Sequence, residues 1–120
     1  LFQYLNASVD GTLEKLSPIS WKNKSAVCVV LASKGYPDSY PKDDEIFGLE
    51  DVVDNAHVFH AGTKVKNEKI LTSGGRVLGV TALGDTLDSA IKNAYGATEK
   101  ISWKNKYSRM DIGKKGLTYL

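Results

Sequence analysis

Thr72–Ile101 reads TSGGRVLGVTALGDTLDSAIKNAYGATEKI, and three kinds of local chemistry follow one another along it. Ser73-Gly74-Gly75 is a tight turn. Arg76–Leu83 (RVLGVTAL) is short and rich in apolar and β-branched residues, which predicts a strand. Gly84-Asp85-Thr86 then predicts a helix start, with Asp85 as the N-cap and Asp88 in the first turn, where the helix dipole favours an anion. Leu87, Ala90, Ile91, Ala94, Tyr95, Thr98 and Ile101 mark one face at helical spacing, and Lys92, Glu99 and Lys100 mark the other. One domain therefore holds both a sheet and a packed helix.

Upstream, Ser25–Ala32 (SAVCVVLA) is a Val-rich run bounded by polar residues, which predicts a strand buried on both faces. Ser33–Asp44 (SKGYPDSYPKDD) carries Gly35, Pro37 and Pro41 and reads as a loop. Glu45–Leu49 reads as a short edge strand. His57–Thr63 is a strand, and Lys69–Thr72 returns after a polar turn around Asn67, which is a hairpin signal. At the front, Phe2, Leu5 and Val9 fall near helical spacing, and Asp10-Gly11 stops the helix. Pro18 is a sensible boundary. Downstream, Trp103–Leu120 is basic and aromatic, with one short strand expected near Tyr107–Ile112. Ile-Ser-Trp-Lys-Asn-Lys occurs at both 19–24 and 101–106; the similarity does not extend further, so it reads as coincidence or as two similar approaches to strands.

The averages exclude several classes. A chain of 120 residues with 42% apolar and 25% charged residues is ordinary for one globular domain, not for a disordered tail. Sixteen basic against fourteen acidic residues leave a net charge of +2, far from a dedicated nucleic-acid binder. A single cysteine, Cys28, excludes an internal disulfide framework and fits a reducing, cytoplasmic setting. The longest apolar run, Ala26–Ala32, is about a third of a membrane span. The first residue is Leu1 rather than Met, and residues 1–9 look like the last turns of a longer helix, so the chain is expected to be part of something larger.

Candidate chemistry centres on Ser73-Gly74-Gly75-Arg76. Glycine amides can approach an oxyanion, and an Arg offers a bidentate fork for phosphate. A hairpin turn followed by a surface Arg fits the same pattern. If the preceding turn centres on Asn67-Glu68, antiparallel pairing sets Lys64 opposite Leu71, near the glycines, so that Lys64 and Arg76 could converge on one anion. Lys66 and Lys69 read as solvated. His57 and His60 lie on opposite faces of a strand and cannot share a metal. Cys28 reads as a small buried hydrophobe. The acidic runs Asp43-Asp44-Glu45 and Glu50-Asp51 read as solvated loop charge. Arg109-x-Asp111 reads as an internal ion pair, with a substrate role as the alternative.

Five segments resemble one known family in order: Ala26–Ser33, Gly35-Tyr36-Pro37, Val58–Lys64, Thr72–Gly84 and Arg109-x-Asp111-Ile112-Gly113. The resemblance is to the C-terminal domain of the phosphoribosylamine–glycine ligases, members of the ATP-grasp enzymes. It implies a rudimentary barrel-sandwich hybrid (single hybrid motif) with one main helix. Residues 1–17 would be the tail of the preceding ATP-grasp domain, and residues 18–120 the C-terminal domain. The family joins glycine to 5-phosphoribosylamine through glycyl phosphate, using ATP and Mg²⁺ (or Mn²⁺), in de novo purine synthesis. The ATP and metal sites belong to upstream domains, so the isolated chain is expected to bind neither and to be inactive. By analogy with sibling enzymes, Lys64, Gly74, Gly75 and Arg76 would hold the substrate phosphate, with Ser73, Arg109 and Asp111 as further candidates. The remaining domains of the same enzyme would be its partners, with no nucleic acid or membrane involved. The chain departs from the family at Asp38, which replaces a usual Gly, at Lys34, and in Tyr40–Asp44, which replaces the usual Glu-Lys-Gly. The competing function class is a free-standing anion- or nucleic-acid-binding module, in which Trp21, Trp103 and Tyr107 would stack on bases.

Overall fold

The computed structural model describes residues 1–52 and 56–119. In chain order the elements are α1 (Phe2–Asp10), a 3₁₀ turn (Leu13–Lys15), β1 (Ser25–Ser33), β2 (Ala56–His60), β3 (Thr63–Lys66), β4 (Lys69–Thr72), β5 (Arg76–Gly84), α2 (Leu87–Lys100), β6 (Lys106–Tyr107) and a second 3₁₀ stretch (Lys114–Tyr119). The architecture is α+β, with antiparallel sheets and one main helix, as expected. A four-stranded sheet runs β2-β5-β1-β6, and β3-β4 form a separate two-stranded ribbon.

The long pair β1–β5 is the spine. Its register runs from Ser25↔Gly84 to Leu31↔Leu78, then shifts at Leu31/Ala32 so that Ala32 faces Arg76. α2 packs on one face of this pair. Val27, Val29 and Leu31 from β1, Leu78, Val80 and Ala82 from β5, and Ala90, Ala94, Ala97 and Ile101 from the helix form one buried cluster. Each large apolar side chain so buried contributes about 1.5–3 kcal/mol. The helical spacing read from the sequence matches this face, and Ala97 joins it.

Four expectations are corrected. First, β1 is buried on one face only as far as Val30, and on both faces just at its end, Leu31–Ser33. Ala26, Cys28 and Val30 alternate with the core residues and are exposed, so Cys28 is an exposed thiol and not a buried hydrophobe. A two-residue period sends neighbouring side chains to opposite faces, and α2 covers only one of them. Second, the helix cap is Thr86, whose hydroxyl accepts from the Ser89 backbone N–H while the Ser89 hydroxyl meets the Thr86 N–H. Asp85 instead pairs with Lys24 at 2.6 Å, which holds its carboxyl below the usual range. Third, Glu45–Leu49 makes two isolated bridges, Glu45↔Leu71 and Phe47↔Ser102, rather than a strand. Fourth, the last strand is only Lys106–Tyr107, and the chain beyond it turns into 3₁₀ geometry.

Near the front, α1 buries only Ala7 and leaves Leu1, Phe2, Leu5 and Val9 exposed. Gly11 closes it in a left-handed conformation, as the sequence predicts. Among the described residues no helix is long and apolar enough to cross a membrane.

Candidate functional site

The β3–β4 hairpin positions the first candidate. Asn67 and Glu68 both adopt left-handed backbone, φ 50 and 62, which a two-residue type I′ hairpin turn requires at both central positions. The pairing is Lys64↔Leu71, the register read from the sequence. From Thr72 the chain enters Ser73-Gly74-Gly75. Here the Ser73 and Gly74 amides donate to the Gly62 carbonyl at 2.7 and 3.1 Å, and the Gly62 amide donates to the Arg76 carbonyl at 2.9 Å. The expectation that these glycine amides point at an anion is therefore corrected for Ser73 and Gly74. What the glycines supply is close approach. A Cβ on Gly74 would sit 3.0 Å from the Gly62 Cα, and one on Gly75 would collide with the Tyr36 ring. Tyr36 is thereby seated against the turn that leads to Arg76.

Arg76 opens β5 opposite Ala32 and is exposed. Its side chain lines a groove of about 450 Å³ together with Val30, Tyr36, Tyr107, Arg109 and Ile112. The groove lies on the uncovered side of β1, so it is walled mostly by apolar surface, and two arginines are among its lining residues. Those two differ. Arg109 is engaged bidentately by Asp111, Nε to Oδ1 at 2.9 Å and Nη2 to Oδ2 at 2.6 Å, which raises the Arg109 pKa and lowers that of Asp111. The internal ion pair expected from the sequence is present. The Tyr95 hydroxyl anchors this segment to α2, donating to the Arg109 carbonyl at 2.7 Å and accepting from the Ile112 amide at 3.0 Å. Among the described residues Arg76 has no carboxylate partner.

Lys64 is not part of that groove wall. Its ammonium lies 2.5 Å from Asp43 Oδ1. The structure therefore brings Arg76 and Arg109 to one groove and places Lys64 in an ion pair beside it in sequence space, two residues from the Gly62 that bonds Arg76. The acidic run is only partly solvated charge: Asp43 is exposed, while half-buried Asp44 accepts from the Asn105 amide at 2.8 Å and half-buried Glu45 binds Lys69 at 2.8 Å. Lys69 is exposed, as read, and its ammonium pairs with Glu45 at the surface. Tyr36, Tyr107 and Asp43 have other parts here than the sequence suggests: Tyr36 and Tyr107 line the groove and Asp43 pairs with Lys64.

The remaining candidates are peripheral. His57 and His60 are both exposed; the His57 ring packs edge-on against Phe59 at 4.4 Å, and His60 Nδ1 lies 3.0 Å from the Thr63 hydroxyl. Among the described residues no group of three or more His, Cys, Asp or Glu side chains could hold a metal ion. Trp103, offered above as a base-stacking ring, is in the core.

An antiparallel sheet covered on one face by a single helix, with an apolar groove lined in part by two arginines on the other, defines a small α+β domain. The chain belongs to the phosphoribosylglycinamide synthetase C-domain family, whose model matches residues 26–115. It is 52% identical over 98% of its length to a phosphoribosylamine–glycine ligase of Synechocystis sp., of which it covers 28%. It is 47% identical over its whole length to a bifunctional purine biosynthetic protein of Dictyostelium discoideum, of which it covers 15%. Its fold is similar to the crystal structure of a phosphoribosylamine–glycine ligase from Thermotoga maritima, with a TM-score of 0.73 and 36% identity, covering 90% of this chain and 27% of that one. The chain thus spans about a quarter of the length of the ligases it matches.

Proposed function

We propose that this chain is the C-terminal, substrate-closing domain of an ATP-dependent ligase that joins glycine to 5-phosphoribosylamine in purine biosynthesis. The observation that carries the reading is the family match across residues 26–115 in a chain that spans only about a quarter of its ligase relatives. ATP and Mg²⁺ would be held by the remainder of the full-length protein, where ATP supplies the phosphoryl group that activates glycine. Residues 18–120 act as the C-terminal domain and residues 1–17 as the tail of the domain before it. The exposed apolar residues of α1 and the uncovered face of β1 support a domain built to pack on neighbours within one enzyme. The setting is the cytoplasm.

Within this domain, Arg76 and Lys64 hold the phosphate of phosphoribosylamine, Arg76 from the groove and Lys64 from outside its wall, where it pairs with Asp43. Arg76 offers its fork beside a groove with apolar walls, and a charge-assisted contact to phosphate is stronger than a neutral one. Gly74 and Gly75 set the backbone path to Arg76, with Ser73 at its start, and Arg109 with Asp111 fixes the far rim. The test is Arg76→Ala in the intact ligase. A charge-assisted contact is worth about 1.5–3 kcal/mol, so apparent affinity for phosphoribosylamine falls at least about tenfold, while glycine and ATP saturate as before. An unchanged phosphoribosylamine affinity overturns the assignment.

A further inference from the structure

The partner of Lys64 is placed with more care than an exposed ion pair needs. Asp43 stands at the end of the Ser33–Asp44 loop with φ 68, a left-handed conformation that non-glycine residues rarely adopt. Its backbone is clamped to β4. The Asp43 amide donates to the Thr72 carbonyl at 2.8 Å, the Asp44 amide to the Thr72 hydroxyl at 3.1 Å, and the Thr72 amide to the Asp44 carbonyl at 2.9 Å. Thr72 is fully buried. Because β4 also pairs with β3, the same clamp that fixes Asp43 fixes the strand that carries Lys64. Asp44 and Glu45 have partners of their own, so Asp43 is the carboxylate assigned to this ammonium. Lys64 holds the Asp43 carboxyl below its ordinary range, with Lys66 and Lys42 adding to the effect.

We propose that Asp43 is a built-in counter-ion that the substrate's phosphate must displace from Lys64, so that this residue sets how tightly the phosphate is held. The proposal rests on the reading of Lys64 as a phosphate ligand. A phosphate monoester carries close to two negative charges at neutral pH and three acceptor oxygens, so it can outcompete a single carboxylate for one ammonium. Joining glycine to the amine leaves the phosphate ester untouched. Contacts to it are therefore made equally by substrate and product, and such uniform binding does not speed the chemical step. An internal competitor weakens both complexes together and eases product release.

The probe is ribose 5-phosphate, a non-reacting phosphate ester, titrated into the intact ligase. Removing one exposed competing charge should tighten its binding about two- to fivefold. Asp43→Asn and Asp43→Gly should agree, since both residues tolerate the left-handed backbone. In a Lys64→Met background, Asp43→Asn should have no effect. Unchanged or weaker binding in the Asp43 variants overturns the proposal and makes Asp43 a residue that orients Lys64. An equal gain in the Lys64→Met background also overturns it, because the effect would then be general charge. Lys64→Met alone separates the two readings. If it leaves ribose 5-phosphate binding unchanged, Lys64 is no phosphate ligand and both fall. If it weakens binding while Asp43→Asn tightens nothing, the competitor alone is refuted.

Discussion

Residues 19–24 and 101–106 spell the same six letters, Ile-Ser-Trp-Lys-Asn-Lys, and meet opposite fates. Both run into a strand, β1 after the first and β6 within the second. In the first copy Ile19 is 48% and Trp21 82% exposed; in the second, Ile101 is 0% and Trp103 7%. The second copy follows α2, whose apolar face ends on Ile101. It is then held by three long-range partners: Ser102 exchanges backbone hydrogen bonds with Phe47, the Asn105 side chain binds Asp44, and the Asn105 carbonyl accepts from the Lys34 amide. The first copy follows Pro18, and among the described residues its one side-chain tether is the Lys24–Asp85 ion pair. Six residues carry no fold of their own. Neighbours far away in sequence decide whether the same indole is core or surface.

Matched substitutions in the two copies would break or sharpen this contrast. The largest difference belongs to the tryptophans. Trp103→Ala should cost about 3–5 kcal/mol in urea denaturation of the chain, and Trp21→Ala under about 0.5 kcal/mol. Equal costs would mean that the first copy is packed in solution. Among the described residues the buried Trp103 Nε1 has no hydrogen-bond partner, so Trp103→Phe should cost much less than Trp103→Ala.

The lysines come next. Lys106 Nζ donates to the Thr98 and Ile101 carbonyls at 2.6 and 2.5 Å, tying β6 to the open end of α2. Lys106→Met leaves these acceptors unpaired and should cost about 1–3 kcal/mol; Lys24→Met should cost under about 1 kcal/mol. Burial holds the Lys106 pKa below its usual 10.5. The native state then loses this proton before the unfolded state does. Its burial penalty is present at neutral pH and relieved as pH rises through the native value toward 10.5, so wild type gains stability there relative to Lys106→Met. Urea midpoints at neutral and alkaline pH should show the gap between wild type and Lys106→Met widening; a gap that stays constant or narrows would break the reading.

The smallest effect is Asp85→Asn. Lys24 holds the Asp85 carboxyl below 3.8, so its contribution is present above that value and fades as pH falls through the depressed native value. The variant should differ slightly from wild type near neutrality and not at all in strong acid, as followed by acid titration of a spectroscopic fold signal.

What was legible in the sequence is what local chemistry dictates. The helical stripe from Leu87 to Ile101 and the hairpin register Lys64↔Leu71 depend on spacing and on one turn, and both are where they were read. The bare outer face of β1 was not legible. An apolar run such as SAVCVVLA has the same composition whether its second face meets a helix of its own chain or is left uncovered. Nor was the Asp43–Lys64 pair, since it depends on a loop returning across Thr72. At the candidate site the Arg76 position was readable. Its company was not, because the groove joins residues from β1, β6 and two loops. The two glycines illustrate the limit best: their presence was noticed, but their reason, room for Tyr36 and for Gly62, lies in partners across the fold.

That last contact has an evolutionary corollary. The Tyr36 ring occupies the volume that any side chain at position 75 would need. A mutation at either site alone is therefore a different trial from a mutation at both. Residues 36 and 75, thirty-nine positions apart by subtraction of their numbers, should drift as one character: enlarging the second requires shrinking the first. Lineages that lose the aromatic ring at 36 are the ones free to abandon glycine at 75.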